Sequence, residues 1–153
     1  MKSIAKLVVS LAFVAFMFAI GADPAAAQGK HPAYLRALSD LRAARAHLQR
    51  PDGGELRHEE KEAIHEIDKA IDEIKKAAIE DGKDLDDHPP VDLHMSWDGR
   101  LHRAKELLEK AHQDISHEED NQFAQGLQQR AFEHIDKAMH EVNEAIRIVA
   151  SRS

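Results

Sequence analysis

No cysteine occurs anywhere in the 153 residues. Disulfide staples, a thiolate nucleophile and covalently attached haem are excluded at once, so stability has to come from packing alone. Aromatic residues make up only 5% of the chain. Beyond the first 27 positions they reduce to Tyr34, Trp97, Phe123 and Phe132. A lone large aromatic is more often buried than displayed, so Trp97 reads as packing at the start of a helix. The seven glycines are scattered through the N-terminal stretch, the turns and the helices, leaving no glycine-rich phosphate loop. Ser39, Ser96, Ser116, Ser151 and Ser153 lie outside any nucleophile-elbow context. No alternating run of β-branched residues suggests a strand.

What is present begins with an export pattern. Lys2 and Lys6 precede an apolar run from Leu7 to Ile20 that only Ser10 interrupts, and Ala25, Ala26 and Ala27 supply small residues for a signal peptidase. The run is shorter than the roughly 20 residues of a membrane span. The expected division is a cleavable signal peptide over residues 1–27 and one domain over residues 28–153. The product would be periplasmic or secreted, with no membrane anchor after cleavage. The leader carries Lys2 and Lys6 against Asp23, a net +1, so its loss takes the chain from −7 to −8. Such a surface repels polyanions, so nucleic acid is not an expected partner.

Four helices follow from the apolar spacing. The first spans Pro32 to about Arg50, with Tyr34, Leu38, Leu41 and Leu48 on one face, and Pro32 suits a first helical position. Pro51-Asp52-Gly53-Gly54 turns the chain. The second runs from about Glu55 to Asp81 behind Ile64, Ile67, Ile71 and Ile74, with Gly82 as a C-cap. A third begins near Ser96 or Asp98 and carries Leu101, Ala104, Leu108, Ala111 and Ile115. The fourth, capped by Asp120 or Asn121, continues to about Ala150 with Phe132, Ile135, Met139, Val142, Ile146 and Val149 inward. Arg45 falls on a seam position, and its stem is expected to lie along the seam with its head in solvent.

One helical phrase occurs twice. Ala63-Ile64-His65-Glu66-Ile67-Asp68-Lys69-Ala70 returns as Ala131-Phe132-Glu133-His134-Ile135-Asp136-Lys137-Ala138, 68 residues later. Ala63, Ala70 and Ala77 flank one stripe every seven residues, and Ala131, Ala138 and Ala145 flank the other. Small flanking residues let helices approach closely. The predicted fold is all-α, an antiparallel up-down-up-down four-helix bundle made of two similar helical hairpins.

Eleven histidines, all beyond Gln28, are the one chemical oddity. Imidazole is the usual ligand for zinc, nickel and copper and titrates near pH 6.5. His88, Asp92 and His94 crowd into the connection around Pro89-Pro90, and His58 and His65 share a face of the second helix. These five are the candidate metal ligands, His88 and His94 first, with Asp92 beside them, and His58 and His65 next. His134 and His140 are placed on the polar side of the fourth helix. Glu62-Ala63-Ile64-His65 and Glu109-Lys110-Ala111-His112 carry the spacing of di-iron bundles, but their glutamates fall on outer arcs and no core glutamate completes a set.

His31-Pro32-Ala33-Tyr34-Leu35-Arg36-Ala37-Leu38, with Asp81-Gly82-Lys83-Asp84-Leu85 and His88-Pro89-Pro90, resembles small exported helical-bundle proteins of uncharacterised function from soil bacteria. That resemblance implies a fold and an export route but no activity. The expected function is that of a non-enzymatic binding or structural protein of the cell envelope, and binding of a transition metal through surface histidines is its sharpest testable version. The alternatives are a metal- or haem-containing redox protein, or an envelope chaperone or interaction module. A homodimer is compatible with the same stripes.

Overall fold

The computed structural model describes residues 32–49, 57–77, 94–116 and 122–152, with side chains from Ala33 and, in the last stretch, from Gln125. The expected leader and its cleavage point, the Gly82 cap, the Asp120 or Asn121 cap, His88 and Asp92 lie outside the described residues. Four helices account for nearly all of the rest: α1 Pro32–Leu48, α2 His58–Ala77, α3 Trp97–Ile115 and α4 Gln122–Ala150.

The ends of the helices have local causes. Glu60 reaches back so that its Oε2 accepts the Arg57 backbone N–H at 2.8 Å, the carboxylate half of a capping box, and this starts α2. Ser96 starts α3, its Oγ accepting the Gly99 N–H at 3.2 Å. Asp98 sits in the first turn, where the helix dipole favours an anion.

The inward stripes meet in one core. Leu38, Leu41, Leu48, Ile67, Ile74, Leu101, Leu108, Ile115, Ile135 and Val142 are fully buried. Each such side chain contributes about 1.5–3 kcal/mol relative to exposure. Ala63, Ala70, Ala131, Ala138 and Ala145 have no exposed surface at all, so the helices approach over them. Phe132, Met139, Ile146 and Val149 pack against the core from its edge, half-buried.

The contacts define both neighbours and directions. α1 packs on α2 and α3, and α4 packs on α2 and α3; among the described residues α1–α4 and α2–α3 are the diagonals. Arg100, at the start of α3, donates to the carbonyls of Ala46 and Gln49 at the end of α1. Arg36, at the start of α1, pairs with Asp114 near the end of α3. These two helices are therefore antiparallel. Glu66 with His134 and Glu73 with Arg130 set α2 against α4 in the same sense. Gln128 on the carbonyl of Ile115 and His112 beside Phe132 do so for α3 and α4.

The antiparallel four-helix bundle of two hairpins is thus present, with one difference in path. Every neighbouring pair is antiparallel, but the helices in chain order point up, down, down, up instead of alternating strictly. The two hairpins are related by a two-fold axis across the bundle. Residues 78–96 form the link from the end of α2 to the start of α3, and at up to about 3.3 Å per residue they suffice to span the roughly 30 Å length of a 20-residue helix.

The repeat extends to the other two helices at an offset of 67. Tyr34, Ala37, Leu41, Ala44 and Leu48 of α1 fall on Leu101, Ala104, Leu108, Ala111 and Ile115 of α3, and all ten are buried. With α2 matching α4 at 68, Glu66 faces its own repeat equivalent, His134, so the axis passes between them.

Candidate functional site

The histidines singled out by the sequence do not converge. His58 and His65 are exposed on α2, two turns and about 10 Å of helix rise apart. They are separate surface donors, since two imidazoles on one zinc sit within about 2.1 Å of it. His94 is exposed just before Ser96. Among the described residues no three His, Cys, Asp or Glu side chains come together as a group able to hold a metal ion. Glu109 and His65 of the two Glu-x-x-His pairs are exposed and Glu62 is only half-buried, in keeping with outer arcs. His102 turns back on its own helix, its Nδ1 donating to the Asp98 carbonyl at 3.0 Å.

The polar side chains that the structure does bring together lie on the seam between α2 and α4. His134 belongs to this seam and not to the polar side of α4: its Nδ1 is 2.6 Å from Oε2 of Glu66, and the two side chains are 19% and 11% exposed. A carboxylate only accepts, so Nδ1 carries the proton and donates. Lys69 holds the second oxygen of Glu66 at 3.0 Å. Two turns further along α2, Glu73 repeats the arrangement with Arg130 of α4 at 2.8 Å and Lys76 of α2 at 3.0 Å. Burial pushes both carboxyls up, but the hydrogen bonds and cations around them outweigh it. The result is a Glu66 held below its ordinary range by His134 and Lys69, and a Glu73 held down likewise by Lys76 and Arg130.

A related pair clasps each hairpin. Arg45 sends Nε to Oδ1 of Asp68 at 2.7 Å, so its head reaches solvent but ends on a partner of α2. Its repeat equivalent is His112, whose Nε2 stands 3.6 Å from Oδ1 of Asp136, the equivalent of Asp68. The His112 ring also lies against Phe132, centroids 4.5 Å apart.

At one end of the bundle Arg100, only 4% exposed, holds the last carbonyls of α1 and lies 5.1 Å over the Trp97 ring. Trp97 is therefore half-buried packing with a cation on its face. His47 and Glu60 are buried at the same end. On the α1–α3 face, Arg36, Ser39, Asp40, Lys110, Gln113 and Asp114 line an open groove of about 490 Å³. Burial pushes the Asp40 carboxyl up; Lys110 opposes this, Asp114 adds to it, and the net shift is upward.

Sequence reasoning missed the seam because Glu66 and His134 both sit beside the stripe, where heptad counting predicts solvent. The repeat itself was the available signal, since the two positions are equivalent. Arg100 gave no such signal, because its partners belong to a helix 51 and 54 residues away.

Comparison of the chain with family models, with curated proteins and with solved structures finds no match in any of the three. The resemblance to exported helical-bundle proteins rests on the quoted residues alone.

Proposed function

We propose that this chain is an exported, non-enzymatic helical-bundle protein of the cell envelope that works from its polar, histidine-bearing surface. The observation that carries the reading is how the apolar residues are used. All four stripes are taken up in one core, and among the described residues Met95 is the sole large hydrophobic side chain left exposed, at 40%. An apolar groove for client proteins would need a contiguous exposed patch of several hundred Å². No helix among the described residues is long and apolar enough to cross a membrane. What the surface offers instead is charge and imidazole.

Transition-metal binding is the sharpest form of this reading, with His88, Asp92 and His94 as the first ligand set and His58 and His65 as accessory donors. Neutral imidazoles bind metal and protonated ones do not, so affinity falls as the pH drops through their titration. The test is elemental analysis with zinc, nickel and copper calorimetry at pH 7.5 and 5.5, on protein recovered from a host that secretes the full chain. Stoichiometric binding, micromolar or tighter, that weakens at pH 5.5 and is lost in the H88A/H94A variant supports the site. Weak uptake spread over many sites, or affinity unchanged in that variant, removes it. N-terminal sequencing of the same preparation, expected to begin at Gln28, tests export.

A further inference from the structure

The seam between α1 and α3 is built differently on the two sides of the two-fold axis. At the repeat offset between these helices, Asp40 corresponds to Leu107 and Lys110 to Ala43. Leu107 and Ala43 are 3% and 7% exposed and belong to the shared core. On the other side of the axis the corresponding pair is a carboxylate and an ammonium. There the seam opens into the groove of about 490 Å³. Opposite charges stand where the repeat would place apolar packing.

Two of the four charges in the groove are spent on each other: Arg36 Nε stands 3.1 Å from Oδ1 of Asp114. The Asp40 carboxylate takes no hydrogen bond from the described residues. Lys110, Arg103 and Arg36 act on it only through space, and Arg103 is itself paired with Glu106 at 2.7 Å. Burial pushes this carboxyl up, so its charge opposes folding. A half-buried charge in a cleft that costs stability and lacks a partner fits a group kept for a ligand.

We propose that the α1–α3 groove binds a small zwitterion, an amino acid or short peptide, with its ammonium on Asp40 and its carboxylate on Lys110. The four groove charges cancel, so neither end of such a ligand is repelled, although the chain as a whole is −7. A ligand of one sign alone would leave either Asp40 or Lys110 unserved. The ammonium brings hydrogen bonds that Asp40 lacks, and Lys110 donates to the carboxylate. Ser39 and Gln113 line the same groove and offer a hydroxyl and an amide to the rest of the molecule. The volume falls within the roughly 300–1,000 Å³ of small-molecule sites. No residue is shared with the proposed metal ligands, so either site can fail without the other.

The test is amide NMR at pH 7 on isotope-labelled protein from the secreting host, titrated with alanine, alanylalanine, N-acetyl-alanylalanine and alanylalanine amide. The dipeptide is expected to give one saturable set of shifts in residues 36–40 and 110–114. Blocking either terminus should weaken it about tenfold or more, the loss of one charge-assisted contact. D40N should cost the free dipeptide the same factor but leave the acetylated form, which has no ammonium, unaffected. K110Q should likewise spare only the amide. Alanine binding as tightly as the dipeptide identifies a free amino acid as the ligand, and tighter dipeptide binding identifies a peptide. Shifts that never saturate, equal affinity for blocked and free forms, or an affinity unchanged in D40N overturn the site. D40N removes a charge that opposes folding and K110Q alters an exposed side chain, so both variants should fold.

Discussion

Glu66 and Glu73 each collect one cation from their own helix and one cationic or imidazole partner from α4, and their carboxyls are held below the ordinary value of 4.5. A carboxyl whose folded pKa lies below its unfolded one adds stability that is present above pH 4.5 and lost as the pH falls through the folded value. The E66Q/E73Q variant should therefore lose stability at pH 7 but differ little from the parent near pH 2, as urea midpoints at both values would show. Asp40 has the opposite sign. Burial raises its pKa above 3.8, so its charge opposes folding at neutral pH, and D40N should be neutral or stabilising at pH 7 with the gain shrinking below pH 4. A lower urea midpoint for D40N at pH 7 would mean that its neighbours matter more than its burial. Arg100 is buried and serves the end of a helix it does not belong to, so R100A should cost about 2–3 kcal/mol. R100K should recover little, because an ammonium cannot reach two carbonyls and stack on Trp97 in one geometry.

At the scale of elements, the alanine columns decide how close the helices come. Ala138 has no exposed surface on the α2–α4 seam, so A138L should destabilise by about 1–3 kcal/mol through overpacking, measurable as a drop in Tm. An unchanged Tm would mean the seam has room that its burial denies. The helices themselves were legible in the sequence. Ile67, Ile71 and Ile74, or Leu101, Leu108 and Ile115, recur at a period that only a helix turns to one side. Their boundaries followed where a local signal existed, as at Pro32 and Ser96. The start of α2 did not, because the Glu60 carboxylate that caps it looks like any other glutamate in an acidic stretch. The direction of each helix was beyond the stripes altogether: an apolar face reads the same up or down. Direction is set instead by pairs such as Arg36–Asp114 and Arg100 on Ala46, which join residues 78 and 54 positions apart.

The whole described molecule has one core to which all four helices contribute, and no covalent bond secures it. Neither hairpin encloses its own apolar face without the other. Urea unfolding followed by circular dichroism and by Trp97 fluorescence should give one coincident transition, since Trp97 packs at the edge of that shared core. Separate midpoints would show that the hairpins melt independently. Of the candidate site, the sequence revealed the ingredients, histidine and carboxylate, but not their meeting at 2.6 Å, since that depends on which way α4 runs past α2.

The position of the Glu66–His134 contact carries a consequence for single-chain assembly. Two identical hairpins joined by a two-fold axis would have to place the same side chain on both sides of it: glutamate would meet glutamate, or histidine would meet histidine, and like would repel like. Only when both halves belong to one polypeptide can the two sides of the axis differ. Acid on one side and base on the other is a pairing that perfect symmetry forbids, and in this chain it stands at the middle of the seam.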